Sequence, residues 1–197
     1  MVDFIRSIFA PEKRLQYSIA ALLDDERTRI IREIWQELDT KLGIRHPFGN
    51  PIPHITHIQA ERLQQPDFRI ALNRFAQTQT PFLVRTIGLG IFTGTENALY
   101  VTVVRNPELT AVQTNLITSL ASSMEGIRET HFINHWIPHI SLMIPGMGKG
   151  QMGQVIDLLS ERNFTWEFRV RKIVVLDGNP QSDRLPYIVE LQGGNDD

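Results

Sequence analysis

The sequence contains no cysteine among its 197 residues. Thiol nucleophiles, cysteine metal sites and disulfide frameworks are therefore excluded. Long hydrophobic runs are also missing, since no stretch approaches the roughly 20 consecutive apolar residues that a membrane helix needs. The apolar N-terminus, residues 1–10, is too short for a signal peptide and is interrupted by Asp3 and Arg6. We expect a soluble, cytoplasmic protein with no membrane partner.

A strong excess of one charge is missing as well. The 20 basic and 22 acidic residues are interspersed and give a formal net charge of −2. Non-specific nucleic-acid binding needs clustered Lys and Arg against phosphates, so this balance favours an enzyme with a small site. The hydrophobic content of 42% is sufficient for one core. We therefore treat residues 1–197 as a single, monomeric domain.

The most distinctive feature present is a pair of near-identical segments, Ile52-Pro-His-Ile-Thr56 and Ile137-Pro-His-Ile-Ser141. Each occupies the same place in a repeated order of elements. Residues 15–92 are predicted to form strand, helix, histidine strand, helix and strand, and residues 98–192 repeat this order and add one strand. We predict two packed lobes with these approximate bounds, related by a pseudo-twofold axis.

The element bounds follow from apolar periodicity, caps and turn residues. The predicted helices cover about residues 24–42, 66–80, 106–126 and 152–159. The predicted strands cover about residues 15–23, 54–59, 82–92, 98–105, 138–144, 164–176 and 185–191.

Each of the paired segments places a histidine and a hydroxyl on one face of a strand. Side chains at i and i+2 share a face, so His54 lies beside Thr56 and His139 beside Ser141. If the axis relates the segments, both pairs converge on one cleft. One neutral imidazole then accepts a proton from an attacking water or hydroxyl, and the other, protonated, donates to the leaving oxygen. The hydroxyls donate to non-bridging phosphate oxygens, and the scheme requires no metal or cofactor.

These residues resemble the two-histidine phosphoesterases, which include bacterial 2'-5' RNA ligases and RNA 2',3'-cyclic phosphodiesterases. His54-Ile-Thr56 and His139-Ile-Ser141 match that family's paired motifs, and the segments 87–92 and 98–103 resemble its strand pair between them. The resemblance implies an α+β, bilobal, internally duplicated fold. Two antiparallel sheets flanked by helices would enclose a central cleft. It also implies that the four motif residues, His54, Thr56, His139 and Ser141, are catalytic.

Some positions depart from the family pattern. His57 stands where members usually have an apolar residue, and Met143 or Ile144 where some RNA-processing members have a basic one. Lys149, or the backbone amides of the helix that follows Gly150, is an alternative source of positive charge. The choice of substrate therefore stays open.

Four further side chains are candidates for substrate binding. Phe48 and Trp136, in loops beside the motifs, are suited to stacking on a base, with a place in the core as the alternative. Arg85 and Arg105, on strands predicted to be adjacent, are suited to neutralising a phosphate, with a solvated face as the alternative.

A metal site is the other chemistry that the histidines suggest. His131, His135 and His139 fall at i, i+4 and i+8, which on one helix face would indicate zinc. Pro138 prevents a helix from continuing through His139. We therefore predict no metal site.

The sequence as a whole predicts a metal-independent phosphodiesterase. Its expected substrate is a 2',3'-cyclic phosphate, or a related cyclic or 2'-5' linkage, on RNA ends or small nucleotides. The alternative is a non-catalytic module of the same fold that binds a nucleotide or an RNA end. An ATP-dependent ligase is disfavoured because the chain has no nucleotide-binding loop or adenylated-lysine motif.

Overall fold

The structure is a computed structural model that describes residues 17–46, 51–94, 97–142, 150–178 and 185–194. Within these ranges the helices are α1 (Asp25–Leu42), α2 (Asp67–Thr78), α3 (Pro107–Leu120) and α4 (Gln151–Leu159). The strands are β1 (Tyr17–Leu22), β2 (His54–Ala60), β3 (Arg62–Leu63), β4 (Phe82–Phe92), β5 (Ala98–Val103), β6 (Met124–Glu125), β7 (His139–Ser141), β8 (Glu167–Val170), β9 (Lys172–Asp177) and β10 (Tyr187–Glu190). No helix of the described residues is long and apolar enough to cross a membrane.

Capping residues fix the beginning of two helices, as the sequence predicts. The Asp24 carboxylate accepts a hydrogen bond from the backbone N–H of Arg27 at 2.8 Å, which satisfies a free donor of the first turn of α1. The Asn106 side chain does the same for Leu109 in α3, at 2.7 Å. Helix α1 ends at Gly43, whose φ of 66° lies in the left-handed region that glycine adopts without strain.

Eight strands form one large curled antiparallel sheet in the order β10-β9-β1-β2-β7-β5-β4-β8, and β3 pairs with β6 in a small second sheet. The α+β class is therefore confirmed. The two predicted sheets correspond to two four-stranded halves of the large sheet. The halves meet between β2 and β7, where Ile55 and Ile140 are the paired residues.

Each half of the large sheet contains strands from both predicted lobes. Strand β4 pairs with β5 and β8, although it belongs to the first predicted lobe. Strand β9 lies beside β1 and β10 lies beside β9, although both belong to the second predicted lobe. The bounds 15–92 and 98–192 therefore divide the chain but do not divide the sheet into its two halves.

Two of the predicted element bounds are wrong. Helix α3 ends at Leu120, its last buried apolar position, and not near Gly126. A 3-10 turn at residues 121–123 follows, in which the Ser123 hydroxyl donates to the Leu120 carbonyl at 2.9 Å. Residues 124–125 then join the small sheet instead of continuing the helix.

The predicted strand over residues 164–176 is two strands. Strand β8 lies at the edge beside β4, whereas β9 lies beside β1 in the other half. The chain crosses between the halves at Arg171, whose carbonyl accepts a hydrogen bond from the N–H of Leu191 at 2.8 Å. Apolar residues recur before and after the crossing, at Phe168, Val170 and Ile173, so the sequence reads as one continuous strand.

A row of buried side chains crosses the middle of the sheet. Ile55, Ile140 and Val101 are successive partners on β2, β7 and β5, and all three are fully buried. Because side chains alternate along a strand, the neighbours of these residues project from the opposite face. That opposite face carries the candidate site.

Candidate active site

The register of β2 and β7 brings the two histidine motifs together. Ile55 and Ile140, the middle residues of the motifs, are antiparallel partners. Continued by one residue in each direction, this register places His54 beside Ser141 and Thr56 beside His139. These four side chains are half-buried, on the face opposite the buried isoleucines. Each imidazole therefore has the hydroxyl of the other motif as its cross-strand neighbour.

Both imidazoles are held by the same local hydrogen bond. The Nδ1 atom of His54 lies 2.6 Å from the Ile52 carbonyl oxygen, and that of His139 lies 2.7 Å from the Ile137 carbonyl oxygen. A carbonyl only accepts, so Nδ1 carries the proton in each ring and Nε2 is left for proton transfer. The proline between each isoleucine and histidine has a fixed φ, which limits the motion of that carbonyl.

The surroundings lower the pKa of both catalytic candidates. Burial is the largest cause for His54 and for His139, and the hydrogen bond to the upstream carbonyl partly offsets it. A positive charge on His54 lowers the pKa of His139 further. The two rings are therefore close enough to repel each other when both are protonated, and the singly protonated pair is favoured over the doubly protonated one.

Aromatic side chains from β4 and β5 flank His139. The Tyr100 and Phe92 rings both lie 5.1 Å from the His139 ring, centroid to centroid, and 4.3 Å from each other. Gly90 makes room for this arrangement, because a Cβ atom there would lie 2.3 Å from Cε2 of Tyr100. Burial raises the pKa of Tyr100. Sequence reasoning missed these three residues, although the Gly-Leu-Gly of β4 was a signal of a close approach.

The flank beside His54 has a different character. Ala20 and Leu22 of β1 are the cross-strand partners of Thr56 and His54. Cross-strand partners share a face, so aliphatic side chains border the site here. The candidate site is thus bordered by aromatic side chains beside His139 and by aliphatic side chains beside His54.

Of the two roles open to Trp136, base stacking or a place in the core, its burial favours the core. Its side chain is only 2% exposed and belongs to the hydrophobic core. The indole N–H donates to the Thr56 carbonyl at 2.9 Å, and the ring stacks on His57 at 5.0 Å between centroids. The core alternative therefore applies to Trp136. Phe48, Lys149, Met143 and Ile144 lie outside the described residues.

The two candidate arginines occupy different surroundings. Arg85 is exposed on β4, and its Nε atom donates to the Glu167 carboxylate on the edge strand β8 at 2.6 Å. This ion pair draws its side chain away from β7, so Arg85 is not placed beside the imidazoles. Arg105 is exposed, and its Nη1 atom donates to the Trp136 carbonyl at 3.4 Å. Arg105 therefore lies next to the loop that leads into the second motif.

His57 lies on the opposite face of β2 from His54. The register with β1 shifts from Ile58 to Thr56 between successive residues of β1, so His57 is the extra residue of a β-bulge. Its side chain is fully buried, and its Nδ1–H donates to Oε1 of Gln113 at 2.6 Å. The Gln113 amide donates in turn to the carbonyls of His57 and His131, each at 2.8 Å. His57 therefore belongs to a buried polar network that joins β2 to α3.

Burial keeps the histidines of this network neutral near pH 7. It lowers the pKa of His57 to about 4, although the hydrogen bond to Gln113 opposes the change. It lowers the pKa of His131 to about 3, and the charge of Arg128 acts in the same direction.

The suggested zinc ligands do not gather in one place. His131 is buried in the network, His139 lies in the cleft, and His135 lies at the surface with Nδ1 3.6 Å from the Glu129 carboxylate. Across the described ranges, no group of three or more His, Cys, Asp or Glu side chains is arranged to hold a metal ion.

Comparisons with known proteins agree with this geometry. The family model of the 2'-5' RNA ligase superfamily matches residues 23–180, a range that includes both histidine motifs. The structure of TT0787 from Thermus thermophilus has a TM-score of 0.58 at 16% identity, covering 91% of this chain and 100% of that one. LigT from E. coli complexed with 3'-AMP gives 0.55 at 15% identity, covering 91% and 96%. At these identities the likeness shows the fold. No curated protein sequence matches the chain.

Proposed function

The chain belongs to the 2'-5' RNA ligase superfamily of two-histidine phosphoesterases, and on that premise we propose that it is a metal-independent phosphodiesterase. Its proposed substrate is a 2',3'-cyclic phosphate on an RNA end or a nucleotide, or a related cyclic or 2'-5' linkage. The observation that carries this proposal is the pairing of Ile55 with Ile140, which gathers two imidazoles and two hydroxyls on one face.

The proposed reaction uses the pair of imidazoles as one acid and one base. Nε2 of the neutral ring accepts a proton from water, and the resulting hydroxide attacks the phosphorus atom. The bond from phosphorus to one ribose oxygen breaks, and the protonated ring donates its proton to that oxygen. The product is a phosphomonoester with a free ribose hydroxyl. The two rings exchange protonation states, and the pair regains its starting state through solvent.

The two hydroxyls stabilise the negative charge that develops on the phosphoryl group. Thr56 and Ser141 lie on the same face as the rings, one on each strand, so they can donate to two different non-bridging oxygens. Donors that are already in place stabilise developing charge without reorganisation during the reaction. In this proposal the hydroxyls supply the electrostatic stabilisation that a metal ion supplies in other phosphodiesterases.

The nature of the substrate rests on two further observations. LigT, a fold relative, has been crystallised with 3'-AMP, a nucleotide that carries its phosphate on the ribose. The aromatic flank formed by Phe92 and Tyr100 provides apolar surface next to one imidazole. Both favour a nucleotide over a simple phosphodiester. We place the activity in the cytoplasm, in a monomer.

The decisive test is a panel of 2',3'-cyclic, 3',5'-cyclic and 2'-5'-linked substrates, each assayed with and without a chelator. We expect opening of the 2',3'-cyclic substrate at the same rate in both conditions. Loss of turnover on chelation would contradict the metal-independent mechanism. Tight binding of a cyclic nucleotide without any product after long incubation would instead identify the non-catalytic binding module.

A further inference from the structure

Two tryptophans hold the backbone of the motif strands through their indole N–H groups. Trp136 Nε1 donates to the Thr56 carbonyl on β2 at 2.9 Å. Trp35 Nε1, on α1, donates to the carbonyl of Leu142, the residue that follows β7, at 3.1 Å. One indole is therefore attached to each of the two strands that carry the catalytic candidates.

The narrow contact between the halves explains why these carbonyls use side-chain donors. Ile55 and Ile140 are the residue pair that joins β2 to β7. Thr56 and Leu142 lie one and two residues beyond that pair, and the carbonyl of each accepts a hydrogen bond from an indole N–H. A buried carbonyl that lacks a donor is destabilising, so the indole N–H groups satisfy these two carbonyls next to the narrow contact.

The Trp136 contact also connects the two motifs to each other. Trp136 precedes His139 by three residues, yet its hydrogen bond reaches the strand of His54 and Thr56. Its ring stacks on the bulged His57 at an interplanar angle of 29°, and Gln113 of α3 holds His57 from the other side. The loop that leads into the second motif is thereby fastened to the strand of the first.

We propose that Trp136 and Trp35 are positioning residues for the phosphodiesterase reaction. Their indole N–H groups fix the two motif strands relative to each other, so that each hydroxyl stays beside the imidazole of the other motif. This inference rests on the proposed function. Trp136 is buried and acts through Thr56 and His139, without contact to the substrate.

The effect is expected on the rate of the chemical step. Displacement of a reacting group by about 1 Å can reduce a rate by about a hundredfold, whereas ground-state binding of the substrate depends less on such alignment. Trp136→Phe keeps an aromatic ring against His57 and removes the N–H donor. We expect kcat to fall at least about tenfold and KM to change less than about twofold. Trp35→Phe should act in the same direction.

The third tryptophan of the sequence provides a matched control. Trp166 Nε1 donates to the Asn163 carbonyl at 3.0 Å, beside the edge strand β8 and away from both motifs. Trp166→Phe therefore removes the same type of hydrogen bond without touching the motif strands. We expect its kcat and KM to match those of the wild type.

Thermal unfolding and the kinetics of the folded fraction separate positioning from a purely structural role. If Trp136→Phe lowers the unfolding temperature but leaves kcat per folded molecule and the pH-rate profile unchanged, the proposal is overturned. If Trp136→Phe does not fold, a benzothienylalanine at position 136 replaces the N–H by sulfur in a ring of nearly the same shape. A wild-type kcat in that variant overturns the proposal, and a tenfold loss supports it.

A measurement without turnover distinguishes failure of this proposal from failure of the proposed function. Nuclear magnetic resonance of 15N-labelled imidazoles reports the surroundings of His54 and His139 directly. We expect both sets of imidazole signals to shift in Trp136→Phe and to stay unchanged in Trp166→Phe. If the wild type turns over no phosphodiester, the proposed function fails. Unchanged imidazole signals in Trp136→Phe would show that the positioning role fails, whatever the activity.

Discussion

A positive charge on His54 lowers the pKa of His139. Two groups coupled in this way lose their protons in two steps, and the pKa of each step is a property of the pair and not of either residue. In the proposed mechanism the competent state of the pair holds one proton, because one ring must accept a proton while the other donates one. The coupling widens the pH range in which that state is populated, since it disfavours the second protonation.

The first prediction concerns the pH dependence of kcat/KM. Activity should be lost as pH falls through the lower pKa of the pair, where both rings are protonated, and as pH rises through the higher one, where both are neutral. Burial lowers both pKa values below their usual 6.5, so we expect a bell-shaped profile with its maximum below about pH 6.5. A rate that still rises between pH 7 and pH 8 would contradict this.

The second prediction concerns the two imidazoles individually. His54→Ala and His139→Ala should each reduce kcat by about a thousandfold or more, because each removes one partner of the proton transfer. His135→Ala is the matched control, since His135 lies at the surface beside Glu129. The variants should keep the far-ultraviolet circular dichroism of the wild type. Substantial activity in both folded cleft variants would rule out the two-histidine mechanism.

The third prediction concerns stability in acid. The pKa of His57 is about 4 in the folded protein and about 6.5 in an unfolded chain, so the unfolded state binds more protons between these values. The contribution of neutral His57 to the free energy of unfolding is therefore fully present above about pH 6.5, and it decreases as pH falls toward 4. The contribution of His57 to this loss is about 3 kcal/mol.

Urea unfolding at pH 7, 6, 5 and 4 measures this loss. His57→Phe keeps a ring against Trp136 but cannot titrate. The variant should be less stable than the wild type at pH 7, because Oε1 of Gln113 loses its hydrogen-bond donor. It should lose less stability than the wild type as the pH falls to 4. Equal slopes in the two proteins would show that protonation of His57 does not limit acid stability.

The fourth prediction concerns the aromatic flank of the cleft. Gly90→Ala places a Cβ atom where the Tyr100 ring lies, so the ring must move from its place beside His139. We expect a loss of stability of about 1–3 kcal/mol and an increase in KM for the cyclic nucleotide. Gly153→Ala is the control, since the added Cβ would meet nothing within 4 Å beyond the neighbouring backbone of its own helix, and a helical alanine should stabilise α4 slightly. Unaltered KM in Gly90→Ala would exclude the flank from substrate binding.

Much of the local structure was predictable because it follows from short-range chemistry. Caps at Asp24 and Asn106, the left-handed end at Gly43 and the alternation of buried and half-buried residues through both motifs are encoded within a few positions. The face shared by His54 and Thr56 follows from strand geometry alone.

Strand pairing was harder to predict because periodicity shows which face a residue occupies and not which strand lies beside it. The sequence suggested that each imidazole works beside the hydroxyl of its own motif. The register adds the hydroxyl of the other motif as a cross-strand neighbour. The crossing at Arg171 was missed for the same reason.

The role of Trp136 depends on an interaction that no local pattern contains. Its partner Thr56 lies 80 positions earlier in the chain, and the bulge at His57 that receives its ring interrupts an otherwise regular strand. In the sequence, an aromatic residue three positions before a candidate catalytic histidine is suited to a cleft or to a core. The long-range hydrogen bond decides between them.

The pairing of β1 with β9 has a consequence for how the protein is made. Strand β1 is synthesised long before its outer neighbour β9 and the following β10. Until then the nascent chain exposes an open edge of β1, a position prone to association with other chains. Folding dominated by such distant pairings is slow. The large sheet is therefore complete only after β9 and β10 have been synthesised, so any truncation before β9 would leave that edge open.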